Sequence, residues 1–305
     1  MEEFVNQVVW CQWNDISIPH NWKLICAPVD TLSKADLAEI SIYVPTYMGG
    51  KKSLDPILDL PNLKTIQLLT AGYEDVIPYM SNHLMLCNAR GVHDFSTSEL
   101  AISLILAHFK NHREFSDSQS QGLWNHKTTG SLYGKEVAII GAGSVAQRLK
   151  RMLAPFECNV TVFGQTAREG VEAISTVQVT VGKFDCVVLL VPLTSSTRNL
   201  VDKAFLAAMK DGAQLVNVAR GPVVNTEALC AELASKRLFA ALDVTDPEPL
   251  TEGHPLWSFE NCTVIPHVGG DSTAFEPQAR AFLAEQFQRI AHSKQPINII
   301  DWKNQ

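Results

Sequence analysis

Three charged or titratable side chains stand just past apolar runs in the second half of the chain. Arg220 follows the run 215–218 in NVARGPVVN, Glu248 follows 239–242 in DVTDPEPL, and His267 follows 263–265 in IPHVGG. Upstream, KEVAIIGAGSVAQRL (135–149) sets Gly141, Gly143 and Ala146 in G-x-G-x-x-A spacing. The run 137–140 reads as a buried parallel strand, and Val145, Leu149 and Met152 line one face of a following helix. In that strand–turn–helix context the spacing signals a dinucleotide site rather than an ordinary tight turn. Gly141 permits the turn, Gly143 lets the backbone approach a pyrophosphate, and Ala146 needs only close helix–strand packing. Free amides and the positive end of the helix dipole then hold phosphate.

Loops after parallel strands share one sheet edge, so the topology predicts that Arg220, Glu248 and His267 converge beside a bound nicotinamide. Hydride transfer at a carbinol carbon must be matched by proton transfer at its hydroxyl. A histidine with an unperturbed pKa near 6.5 suits that task, and a carboxylate partner fixes the ring and favours the imidazolium. An arginine fork pairs with a substrate carboxylate and polarises the adjacent carbonyl. Each residue also has a plain structural reading. These are an ion pair of Arg220 with Asp243 or Glu248, a solvated loop charge at Glu248, and a turn cap at His267.

At 305 residues the prior is two domains, and 46% hydrophobic content supplies an ample core. A net charge of −7 argues against nucleic acid or an anionic membrane as the main partner. Seven scattered cysteines without a C-x-x-C pair indicate neither a zinc site nor a thioredoxin-like pair, and no metal is expected. The acidic start MEEFVNQ lacks a signal-peptide pattern and no apolar run spans a membrane, so a cytoplasmic protein is expected.

The first hundred residues alternate short apolar runs (8–10, 24–27, 40–44, 66–69 and 84–87) with helical stretches at 32–39 and 54–60, a small parallel α/β unit. Ser96-Thr97-Ser98-Glu99 reads as a capping box that opens a long helix near a domain boundary. His108 lies on that helix's apolar face, as a packed histidine. Residues 115–134 read as a loop or arm with an isolated Trp124, resting either on another subunit or on its own domain. Strands at 160–163, 186–191, 213–218, 239–242 and 263–265, with helices at 203–209 and 226–235, complete a doubly wound sheet. A helical tail follows at 275–292.

The strings GAGSVA, VPLTSSTRNLVD (191–202), LVNVARGPVVNTEAL (215–229), AALDVTDPEPL (240–250) and IPHVGG (265–270), in this order, resemble the D-isomer-specific 2-hydroxyacid dehydrogenases, glyoxylate/hydroxypyruvate reductases among them. The resemblance covers nearly the whole chain and is strongest from Asn88 to Ser272. It implies two Rossmann-like, doubly wound parallel-sheet domains: a dinucleotide-binding domain over 98–274, and a discontinuous, flavodoxin-like substrate domain over 1–97 and 275–305. It implies that Arg220 binds substrate, Glu248 partners the histidine, and His267 is the acid–base. Backbone at Ala71 and Gly72 would bind the substrate carboxylate. Gly143, Ser144 and Val145 would sit at the pyrophosphate, while Pro192, Thr197, Ala219, Asp243 and Gly270 would line the cofactor. A homodimer built around the cofactor domain is implied, with a small 2-keto or 2-hydroxy acid as substrate.

An NAD site carries an acidic residue about 20 residues past the glycine turn. Gly164 stands at that place. With Gln165 and Thr166 as donors and Arg168 as a cation, the loop favours NADP over NAD. Two other readings stay open: a dinucleotide-sensing, corepressor-like binding protein without turnover, and a redox enzyme on the same fold using formate or phosphite. The formate branch is disfavoured because it places glutamine where Glu248 stands.

Overall fold

The computed structural model describes residues 6–304; most of the acidic start, residues 1–5, lies outside the described residues. The chain divides into two compact units, one of Met1–His93 with Thr273–Gln305 and one of Asp94–Ser272.

In the first unit β1 (Val8–Trp10), β2 (Lys23–Ile25), β3 (Ile42–Tyr43), β4 (Thr65–Gln67) and β5 (Met85–Cys87) form a parallel sheet of order β2-β1-β3-β4-β5. This is the flavodoxin-like doubly wound order. Helix α1 (Lys34–Glu39) starts at a capping box between Ser33 and Asp36. Helix α2 (Gly50–Leu54) gives way to a 3₁₀ turn over Asp55–Asp59, where a single helix at 54–60 was expected. Pro56 has no amide to extend an α ladder.

The second unit opens with α3 (Asp94–Phe109) and α4 (His112–Ser120). It continues through β6 (Glu136–Ile140), α5 (Ser144–Leu153), β7 (Asn159–Gly164), β8 (Glu172–Ala173), α6 (Val177–Thr180), β9 (Cys186–Leu189) and α7 (Lys203–Ala208). It closes with β10 (Gln214–Asn217), α8 (Thr226–Ala234), β11 (Phe239–Leu242) and β12 (Cys262–Val264). The sheet order is β12-β11-β10-β9-β6-β7-β8, all parallel, with the reversal beside β6. Side chains alternate across the strands. Ala138, Ile140, Val187 and Leu189 pack on one face with Phe205 and Leu229, while Val137, Ile139 and Val188 pack on the other with Ala101, Ile105 and Leu149. Such double coverage explains why these strands read as unbroken apolar runs.

Two elements differ from the sequence expectation. Ser96 does not cap α3, because the chain is already helical from Asp94; the Ser96 hydroxyl instead shares a 2.6 Å hydrogen bond with that of Ser272. Residues 115–134 are not all loop, since α4 runs through Ser120; its polar sequence masked the helix. Trp124, just beyond, is 96% exposed. The two-residue strand β8 had no apolar run to announce it.

The tail helix α9 (Phe275–Ala291) belongs to the first unit, where Ala279, Leu283 and Phe287 pack against Val9, Ile42 and Val44. Its buried Gln286 amide donates to Gln67 Oε1 at 2.6 Å and to the Ile297 carbonyl, and accepts from the Ile297 amide. Gln286→Ala leaves those buried groups without that partner. We expect a loss of about 2 kcal/mol in urea denaturation. A loss below about 0.5 kcal/mol would show that the amide ladder does not anchor the tail.

Candidate active site

The C-terminal edge of the second unit's sheet carries every candidate group of that unit. The glycine turn leaves β6 there. Gly141 has φ +125°, and a Cβ on it would lie 2.4 Å from the Leu190 carbonyl oxygen, so only glycine fits. Gly143 precedes α5, which has no side-chain cap, and a Cβ on it would meet nothing within 4 Å. Ala146 is fully buried against the sheet. The Ser144 hydroxyl donates to Asp94 at 2.9 Å, while Ser144 itself is exposed and Val145 half-buried. The turn thus offers open glycine backbone and uncapped amides at a helix start, which fits a dinucleotide pyrophosphate.

At the end of β7 lies the loop that would meet the adenosine ribose. Gly164 is buried, and a Cβ there would stand 2.9 Å from both Ala142 Cβ and Val171 Cγ1. The missing acid is therefore also a packing requirement. Gln165, Thr166 and Arg168 are exposed. Arg168 and Val171 exchange both backbone hydrogen bonds, and the Arg168 guanidinium donates to the Ala142 carbonyl at 3.2 Å. A cation is thereby held against the glycine turn.

The three downstream loops come together. His267 Nδ1 lies 2.5 Å from Glu248 Oε1. The hydrogen bond to Glu248 raises the His267 pKa against the opposing effect of burial, and the charges of Glu248 and Asp243 add to the rise. Burial would push Glu248 up, but its net shift is downward. The hydrogen bond and charge of His267, the Thr245 amide and the charge of Arg220 outweigh it. The charge of Arg220 acts on both partners of the pair, and the adjoining Gly221 backbone packs on the Thr245 carbonyl. The Arg220 guanidinium also donates to the Ala219 carbonyl at 2.8 Å.

Further residues shape the loops that carry this pair. Asn217, 1% exposed, accepts from the Ala219 amide and donates to the Arg220 carbonyl, which shapes the loop that carries the arginine. The only cue in the sequence is a polar residue closing an apolar strand. Gly221 lets that loop meet the next one, since a Cβ would lie 1.9 Å from the Thr245 carbonyl oxygen. Asp243 is 3% exposed and accepts from the amides of Val268 and Gly269 at 2.8 and 3.0 Å. Gly269 is crowded against the same carboxylate. His267 itself has φ +51°, so its side chain is aimed by a left-handed backbone that few residues adopt.

Among the remaining candidates, Ala219 is buried, Pro192 is exposed and Gly270 is half-buried. The Thr197 hydroxyl donates to the Pro192 carbonyl at 2.6 Å. Ala71 and Gly72 lie in the first unit after β4, where their carbonyls accept from Asn88 Nδ2 and the Thr70 hydroxyl. His108 is packed against Phe109 and Phe239, and burial drops its pKa to about 4. Among the described residues no cluster of three or more His, Cys, Asp or Glu could hold a metal ion, and no helix is long and apolar enough to cross a membrane.

Comparison with known proteins bears on this edge directly. The family model of the NAD binding domain of D-isomer specific 2-hydroxyacid dehydrogenases matches residues 102–269. A glyoxylate reductase of Thermofilum pendens is 31% identical over 256 residues, covering 79% of this chain and 76% of its own. The Homo sapiens glyoxylate reductase/hydroxypyruvate reductase is 36% identical over 189 residues, 57% of each chain. The NADPH-dependent glyoxylate/hydroxypyruvate reductase of Sinorhizobium meliloti, solved with NADP and sulfate, aligns over 98% of both chains with a TM-score of 0.82 at 22% identity, a likeness of fold.

The opposed shifts make a prediction about pH. The folded pKa of His267 is raised, so its contribution to stability is full below about 6.5 and is lost as pH rises through the folded value. That of Glu248 is lowered, so its contribution is full above about 4.3 and is lost as pH falls through the folded value. In wild type, NMR titration should place the His267 midpoint above 6.5, and Glu248→Gln should bring it down. An unchanged midpoint would mean that Glu248 does not set the charge of the ring.

Proposed function

This chain belongs to the D-isomer specific 2-hydroxyacid dehydrogenase family, and we propose that it reduces a small 2-keto acid to the D-2-hydroxy acid with His267 as acid–base. The observation that carries this reading is the 2.5 Å His267–Glu248 pair within the field of Arg220. Membership makes the activity NAD(P)H-dependent oxidoreduction of 2-keto and 2-hydroxy acids. The nicotinamide cofactor, when bound, supplies or accepts the hydride at the substrate C2.

This chain's residues do the rest. Arg220 pairs with the substrate carboxylate and polarises the neighbouring carbonyl. Main chain at Ala71 and Gly72 is the second carboxylate ligand in this reading. Glu248 occupies His267 Nδ1, which leaves Nε2 to deliver a proton to the carbonyl oxygen in reduction and to take it back in oxidation. The hydrogen bond and charge of Glu248 favour the protonated ring, the form that the reductive direction uses. Gly141, Gly143, Ser144 and Val145 hold the pyrophosphate. Pro192, Thr197, Ala219, Asp243 and Gly270 line the remainder, and the assembly is a homodimer.

We assign the cofactor preference to NADP, on Arg168. Its guanidinium lies against the glycine turn, and no carboxylate stands at Gly164 to repel a 2′-phosphate. Gln165 and Thr166 flank it as exposed donors.

Three measurements test this. His267→Gln should lower kcat by about 10²- to 10⁴-fold with cofactor affinity nearly unchanged. Near-full turnover by the folded variant would remove His267 from the acid–base role. Cofactor binding by wild type with no turnover of glyoxylate, hydroxypyruvate, pyruvate or phenylpyruvate would replace the enzyme by a dinucleotide sensor. Separately, Arg168→Ala should lower kcat/KM for NADPH by about 10- to 100-fold and leave NADH within about threefold, since a charge-assisted hydrogen bond contributes about 1.5–3 kcal/mol. A preference for NADH that the mutation leaves intact would overturn the assignment.

A further inference from the structure

We propose that Cys11 and Cys26, at the ends of two neighbouring strands of the first unit, form an oxidative modification site where a hydroperoxide installs an intrachain disulfide. The register of β1 and β2 pairs Val9 with Leu24 and Trp10 with Ile25. One step further it sets Cys11 beside Cys26, and the Cys11 amide still donates to the Ile25 carbonyl at 3.1 Å. Adjacent strands lie about 4.8 Å apart, within the Cα separation a disulfide spans.

The faces agree as well. Val9 and Cys11 belong to one core cluster, with Leu24 packed against it, while Trp10 and Ile25 belong to the cluster on the opposite face. Continued one residue past β2, the alternation puts Cys26 on the side of Leu24, and the Cys26 sulfur acts electrostatically on Cys11. Among the described residues no other two cysteines are neighbours in a strand ladder: Cys87 pairs with Gln67 and Ile299, Cys186 with Val137 and Gln214, and Cys262 with Ala240.

The two sulfurs have different roles. Cys11 is buried and Cys26 half-buried. Burial pushes the Cys11 thiol up to about 11; the Trp13 amide pulls it down, the Cys26 sulfur pushes it further up, and the Gln12 amide and the Arg280 charge pull it down. Cys26 is therefore the sulfur that meets the oxidant. Its thiolate attacks one peroxide oxygen, the O–O bond breaks, and the departing alkoxide or hydroxide takes a proton, leaving a sulfenic acid. Cys11 loses its proton as its sulfur attacks that of Cys26. The S–O bond breaks and hydroxide leaves as water. Two thiols and one hydroperoxide thus yield a disulfide, an alcohol or water, and one further water, with two electrons passed to the peroxide. The amides of Gln12 and Trp13 point at the Cys11 sulfur and support its negative charge during the attack. A small dithiol reverses the reaction by exchange.

The test treats the full-length protein with a few equivalents of hydrogen peroxide, alkylates the remaining thiols and maps peptides by mass spectrometry. The expected product is one Cys11–Cys26 linkage, two hydrogens lighter, with the other five cysteines alkylated and the linkage lost after dithiothreitol. Cys11→Ala keeps the buried position apolar and preserves folding. In that variant Cys26 should accumulate as a sulfenic acid that dimedone traps, at least about fivefold above wild type. Three outcomes overturn the proposal: seven alkylated thiols after peroxide, a linkage between any other pair, or equal dimedone labelling in wild type and Cys11→Ala.

Discussion

A buried carboxylate at the end of β11 ties the candidate site together. Asp243 receives the amides of Val268 and Gly269 on its side chain, its own carbonyl receives the His267 amide at 2.8 Å, and its amide donates to the Asn217 carbonyl at 2.9 Å. Three consecutive strand ends therefore close on one residue. Burial pushes the Asp243 pKa up, and the two amides oppose that push. A buried acid without them would give up its charge, or the loop would move to water. What the amides secure is a backbone: His267 sits at φ +51°, and a histidine there keeps its aim only while the turn around it is over-determined. The His267 side chain is half-exposed, but the loop that presents it is anchored in the core.

Much of the second unit was legible because a parallel sheet covered on both faces writes its strands as unbroken apolar runs. The runs at 137–140, 186–191 and 239–242 differ from β6, β9 and β11 by no more than two residues at either end. Arg220, Glu248 and His267 were legible for a related reason. Each is a titratable group in the loop that follows such a run, two residues on for Arg220 and His267 and six for Glu248, and parallel order sends such loops to one edge. Local turn chemistry was not legible. Ser96-Thr97-Ser98-Glu99 satisfies the capping pattern, yet Ser96 answers to Ser272 and Thr97 to the Gly269 carbonyl, partners more than a hundred and seventy residues away. A local hydrogen-bonding motif competes with tertiary partners that a local pattern does not contain. The same holds for Asn217 and Gly221, whose purposes exist only once the neighbouring loop is in place.

The cofactor loop separates two requirements that are easily merged. At Gly164 a Cβ would stand 2.9 Å from Ala142 Cβ and Val171 Cγ1, so side-chain packing around the turn disfavours an acid irrespective of the ligand. The absence of the acid by itself therefore says little about selection between NAD and NADP. What speaks to selection is the positive choice nearby. Arg168 closes a two-residue turn, exchanging both backbone bonds with Val171, and lays its guanidinium on the carbonyl of the central residue of the glycine turn. An arginine held by its own backbone and by a neutral carbonyl keeps its charge uncompensated by that contact, and an uncompensated guanidinium fork is what a phosphate dianion recognises. The scaffold disfavours the repulsive group and the loop supplies the attractive one. Selectivity on this reading depends on Arg168 more than on the empty place at Gly164.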